Sequence, residues 1–105
     1  MSDKNPHYDY KTVAHLYNAD LSGARLNHAN LTGVHLNKAS LRKASMTEVD
    51  LSYANLRYAI LEGVNLYKAD LTGVDLSYAD LRCANLEGAQ LPEGYGKLPK
   101  EVTDE

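Results

Sequence analysis

Residues 19–58 read, in groups of five, ADLSG ARLNH ANLTG VHLNK ASLRK ASMTE VDLSY ANLRY. Every group opens with Ala or Val and carries Leu or Met at its centre. The frame extends in both directions. Its centres are Leu16, Leu21, Leu26, Leu31, Leu36, Leu41, Met46, Leu51, Leu56, Leu61, Leu66, Leu71, Leu76, Leu81, Leu86 and Leu91. The residue two before each centre is Ala, or Val at Val34, Val49, Val64 and Val74. The pattern runs without a gap from residue 14 to about residue 93.

The period excludes the ordinary elements. On an α-helix a step of five turns ~500°, so successive centres are displaced by ~140° and no apolar stripe forms. On one flat strand a step of five reverses the face, so successive leucines point to opposite sides. Within a unit, the opening Ala or Val and the central Leu are two apart and share a face of a short extended segment. Keeping every Leu inside therefore requires the chain to turn once per unit and close into a coil. Successive coils then stack ~4.8 Å apart and share backbone hydrogen bonds as parallel strands do.

Composition agrees with one small packing unit used repeatedly. The 105 residues suffice for one domain. They contain no Phe and no Trp but 8 Tyr, so the interior is expected to be uniform in width. The formal charge of -3 gives no electrostatic reason to expect direct nucleic-acid binding. The single cysteine, Cys83, rules out an intramolecular disulfide and suits a reducing compartment. No apolar run approaches the ~20 residues of a membrane span, and the polar N-terminus MSDKNPHYDYK lacks a signal-peptide stretch. The expected location is the cytoplasm, or an exported or lumenal one if a signal has been removed.

Units such as AHLYN, ADLSG, ANLTG, ADLTG, ADLRC and ANLEG resemble the A(D/N)LXX motif of pentapeptide-repeat proteins. The resemblance covers residues 14–93, about three quarters of the chain. It implies an all-β fold, a right-handed quadrilateral β-helix with four units per coil. Sixteen units make four coils of about 20 residues and a rod ~19 Å long. Residues 20 apart then lie in columns. Arg42, Glu62 and Arg82 alternate in charge, Thr32, Ser52 and Thr72 form a hydroxyl column, His28, Glu48 and Lys68 are mixed, and Tyr58 stacks over Tyr78. Residues 1–13 and 94–105 break the repeat. A solenoid needs covered ends, so Tyr8, Tyr10 and Val13 are expected to cap one end and Tyr95, Leu98 and Val102 the other. The alternative is an end-to-end dimer through a terminus.

No catalytic set, cofactor site or metal site is expected. His15 and His35 share a column, and two imidazoles ~4.8 Å apart suit a shared ion, but the column offers no obvious third ligand. Asp50 and Asp70 stack on one face and Asp75 and Asp80 lie on adjacent ones. The motif itself places Asp or Asn before each central Leu, where its side chain can bond to turn backbone. The glycines at 23, 33, 63, 73 and 88 close their units and read as corners rather than a phosphate loop. Tyr17, Tyr53, Tyr58, Tyr67 and Tyr78 all point outward. Tyr58 and Tyr78, with Tyr53 round the corner, are the candidate contact patch, because Tyr offers area and a polar tip.

The expected role is a non-catalytic structural or protein-interaction module, as the resemblance implies; the family is common in bacteria, above all cyanobacteria. The alternative is DNA mimicry, by which some relatives protect DNA gyrase. Charge density argues against it. Residues 14–93 hold nine Asp/Glu and seven Lys/Arg, whereas ~19 Å of duplex carries about 11 negative charges.

Overall fold

The structure is a computed structural model that describes residues 15–94. One short extended contact and one turn alternate along that whole stretch. The residue preceding each centre forms a parallel bridge to the residue 20 further on, from His15↔His35 through Asn30↔Asp50 to Asp70↔Gln90. Pairing at +20 with a unit of five puts four sides in one coil. Side 1 is centred on Leu16, Leu36, Leu56 and Leu76. Side 2 is centred on Leu21, Leu41, Leu61 and Leu81. Side 3 carries Leu26, Met46, Leu66 and Leu86, and side 4 carries Leu31, Leu51, Leu71 and Leu91.

The sides are shorter than the expected strands. Each contributes a single bridged residue rather than a run of ladder. Two of every five residues lie in the turn, so no extended run has room to form. In each turn the N–H of the next unit's first residue donates to the preceding central carbonyl, as in Ala59 N–H to Leu56 O at 3.0 Å. The residue two after the centre has positive φ at every corner from Asn18 to Gly88. Positive φ at the third position of a hydrogen-bonded turn is the mark of type II. Glycine takes that conformation freely, but Lys43, Tyr53, Tyr58 and Cys83 hold it too, at 60–63°. Such residues cost roughly 1–3 kcal/mol each and persist only where the surroundings over-determine them.

Hydrogen bonding supplies that determination. In the unit 54–58, Ala54 N–H closes the preceding turn on Leu51 O, Asn55 N–H reaches back to Val34 O, and Leu56 and Tyr58 N–H reach forward to Asp75 O and Ser77 O. The remaining donor, Arg57 N–H, binds Asn55 Oδ1 at 3.0 Å. All five backbone donors are satisfied, four by backbone and one by the Asn side chain, as burial demands. The same side-chain cap recurs at Asp20, Asn30, Asp50, Asn65, Asp70, Asp75, Asp80 and Asn85. This is why the repeat places Asp or Asn before its Leu.

The interior is the predicted one. Leu36 through Leu71, with Met46 among them, are fully buried, and the Ala and Val positions of the same coils line the core with them. Each buried Leu contributes ~1.5–3 kcal/mol. Leu16, Leu21, Leu26 and Leu31 are only half-buried. At the other end Pro92 is buried and Gly94 turns with φ of 94°. The capping residues expected at Tyr8, Tyr10, Val13, Tyr95, Leu98 and Val102 lie outside the described residues.

Candidate functional site

The surface follows the columns. Bridges fix the backbone of successive coils in register, so equivalent side chains stand one coil apart. On side 1, Tyr58 and Tyr78 stack with ring centroids 5.0 Å apart and planes at 12°. They remain 50% and 74% exposed. Arg57 lies beside the pair, its guanidinium carbon 5.8 Å from one ring centroid and 5.9 Å from the other. Asp75, one coil on, accepts from Arg57 at 3.4 Å and orients it. The result is an exposed aromatic edge with a cation held against it, the composition that protein interfaces favour. Arg57 was missed in the sequence. Its signal was its place next to Tyr58 with Asp75 eighteen residues on.

Tyr53 occupies the corner between sides 4 and 1 and is 67% exposed. Its ring lies over Gly73 of the next coil; a Cβ there would stand 2.4 Å from the ring. It is therefore anchored within its own column, and its ring makes no stack with the Tyr58–Tyr78 pair. Tyr67 is less open than Tyr17, Tyr53, Tyr58 and Tyr78, with the Lys68 ammonium 5.4 Å from its ring. Tyr17 is exposed.

The charged columns form in part. Arg42 pairs with Glu62 at 3.0 Å and His28 with Glu48 at 3.3 Å. Arg82 turns instead to Asp80 of its own unit, with two bonds of 2.9 and 2.7 Å. Another partner was not legible in the motif. Ser45 stands where most units carry Asp or Asn, and Asn27 of the preceding coil takes over its cap, accepting from Thr47 N–H and from the Ser45 hydroxyl at 2.8 Å each.

Four carboxyls lie below their ordinary range. The Ser52 hydroxyl, then the Ser52 N–H, hold the Asp50 carboxyl below its ordinary range, and Ser22 does the same for Asp20. Ser77 and, more weakly, Arg57 lower Asp75, while the Arg82 guanidinium lowers Asp80 and is itself raised by it. Useful general acids and bases have values moved toward the working pH; these carboxyls move away from it. Among the described residues no group of three or more His, Cys, Asp or Glu is placed to hold a metal ion. No helix among them is long and apolar enough to cross a membrane. Cys83 is an exposed free thiol at a corner of side 2.

Inward leucines, a turn per unit and pairing at +20 define a four-sided solenoid of five-residue repeats. The chain belongs to the pentapeptide repeat family, whose eight-copy profile matches residues 14–52 and again 50–88. A comparison with curated proteins gives no match. Among solved structures the chain is similar to alr5209, a pentapeptide repeat protein from Nostoc PCC 7120. The two share 32% identity with a TM-score of 0.70, over 82% of this chain and 79% of that one. It is also similar to Rfr23, a pentapeptide repeat protein from the cyanobacterium Cyanothece 51142, at 38% identity and a TM-score of 0.57, over 75% of this chain and 50% of that one. A third is HetL from Nostoc sp. strain PCC 7120, a pentapeptide repeat protein involved in heterocyst differentiation regulation. Its identity is 32% and its TM-score 0.58, over 78% of this chain and 48% of its own. The chain thus spans about half the length of the last two. Members of this family are known as right-handed quadrilateral β-helices.

Proposed function

We propose that the protein is a non-catalytic interaction module, a right-handed rod of four coils that docks a protein partner along its tyrosine-bearing edge. The observation that carries this reading is the Tyr58–Tyr78 stack, exposed on both rings, with Arg57 held against it by Asp75. The rings are already ordered by stacking, so docking immobilises little that is free, which favours affinity. Tyr53 extends the surface round the corner. Pentapeptide repeat proteins are generally non-catalytic, and one similar protein, HetL, is involved in a regulatory process. Cytoplasmic residence belongs to the same reading, the exposed thiol of Cys83 suiting a reducing compartment.

DNA mimicry draws no support from the surface. Glu48, Glu62, Asp75 and Asp80 are paired with His or Arg, and Asp20, Asp50 and Asp70 cap turns. The test is affinity capture from the cells that make the protein, with Tyr58→Ala/Tyr78→Ala as the control. A partner held by the wild type and lost by a double variant of unchanged melting temperature supports the reading. Equal capture by both overturns it.

A further inference from the structure

The residue before each central Leu has one recurrent task, to cap its own turn, and on side 1 two residues are exempt from it. His15 and His35 carry no oxygen that can accept from Tyr17 or Asn37 N–H. Their backbones are locked one coil apart by the His15↔His35 bridge and by Leu16 N–H donating to His35 O at 2.8 Å. Their rings stack with centroids 4.9 Å apart and planes at 12°. No described residue hydrogen-bonds to either ring. His15 is exposed and His35 half-buried. The adjoining corner is Gly33, where a Cβ would meet nothing within 4 Å.

We propose that His15 and His35 form an open, two-imidazole site for a late first-row divalent cation, copper(II) ahead of nickel(II) and zinc(II). Neutral imidazole suits these ions, and affinity rises along the first row to copper. Two nitrogens on one ion, each at ~2.0–2.1 Å, stand roughly 3 Å apart. A lone pair lies in its ring plane, so binding also breaks the parallel stack: each ring swings by roughly 45° on its side-chain torsions, bringing the two nitrogens ~2 Å closer and aiming both at one point. The column above supplies no further ligand. Asn55 Oδ1 already accepts from Arg57 N–H, and Asp75 accepts from Ser77 and Arg57. Water fills the remaining positions, so this is a labile site with exchangeable coordination rather than a closed structural one. His28 is the internal contrast, a single imidazole on side 3 paired with Glu48.

The test is a copper(II) titration of the full chain followed by calorimetry and electron paramagnetic resonance. A Cys83→Ser/His7→Asn background removes the exposed thiol and the remaining histidine. Two coordinated nitrogens are expected, with affinity at least about tenfold above that of His15→Asn or His35→Asn, because the second ligand acts at high effective concentration. Magnesium should not compete. Circular dichroism melts confirm that each variant folds. A single coordinated nitrogen, a loss smaller than about threefold for either substitution, or an equal loss from His28→Asn would overturn the site.

Discussion

The first coil and the two that follow it are built from the same units, yet they are buried to different degrees. Leu16, Leu21, Leu26 and Leu31 are half-exposed, while Leu36 through Leu71 are sealed. The turns do not differ: Ala24 N–H closes on Leu21 O at 3.0 Å and Ala69 N–H on Leu66 O at the same distance. What differs is the coil on the other side. In a solenoid a side chain is buried by its neighbours along the axis, so local structure is uniform while stability is not.

The sharpest way to break this comparison is one substitution made in both regions. Leu66→Asp places a carboxylate without a partner in the sealed core and should abolish cooperative unfolding by circular dichroism. Leu66→Ala should cost ~2–5 kcal/mol. Leu21→Asp and Leu21→Ala should leave the rod folded, the latter at about 1–2 kcal/mol. Equal losses at both sites would show that the first coil is as well covered as the middle.

Corners give the next largest contrast. Gly73 lies under the Tyr53 ring, whereas Gly23 has open space around its missing Cβ. Both have positive φ, 70° and 74°. Gly23→Ala should therefore cost only the backbone term, roughly 1 kcal/mol. Gly73→Ala should cost about 1 kcal/mol more, because the ring must leave its seat. In a Tyr53→Ala background the two alanine substitutions should become equal in chemical denaturation. A surviving difference would place the strain elsewhere than in that contact.

These contacts also mark where the sequence stops being informative. The five-residue period, the inward leucines and the pairing of residues 20 apart were legible because they are repeated; one unit predicts the rest. The Tyr58–Tyr78 stack was legible for the same reason, since columns follow from the register. Side-chain choices within a column were not. Arg82 has Glu62 one coil away and Asp80 two residues away, and only the short bidentate reach to Asp80 settles the matter. Asn27 rescues the Ser45 turn from a coil below, which no reading within one unit reveals. The expected strands shrink to single bridges because the turns occupy the space.

A smaller effect separates capped from uncapped turns. Asp50→Ala removes the acceptor for Ser52 N–H at 3.0 Å and for its hydroxyl at 2.6 Å, and should cost about 1 kcal/mol. Ile60 stands at the same position on side 2, where Glu62 N–H has no acceptor among the described residues. Ile60→Asn should supply one and raise the melting temperature, the gain being less than the Asp50→Ala loss because some apolar contact goes. A fall in melting temperature would mean that packing of Ile60 outweighs the cap.

The smallest expected effect asks why the motif accepts Asp and Asn alike. The cap uses one oxygen, Oδ1, which both residues possess, so Asp50→Asn should leave stability at pH 7 nearly unchanged. Acid separates them. The folded chain holds Asp20, Asp50, Asp75 and Asp80 below their ordinary value of 3.8. As pH falls, the unfolded chain binds protons first, so stability is full above pH ~4 and declines as pH passes through the lowered folded values. Asp50→Asn removes one such group and should flatten the fall in melting temperature between pH 4 and pH 2, by on the order of 1 °C because the carboxyl is close to solvent. Asp20→Asn in the first coil should flatten it less, since Asp50 is half-buried and accepts the Ser52 hydroxyl at 2.6 Å, whereas Asp20 is exposed and the Ser22 hydroxyl also pairs with that of Ser40. An identical slope for Asp50→Asn and the wild type would mean that the negative charge adds nothing to the turn beyond the oxygen it shares with asparagine.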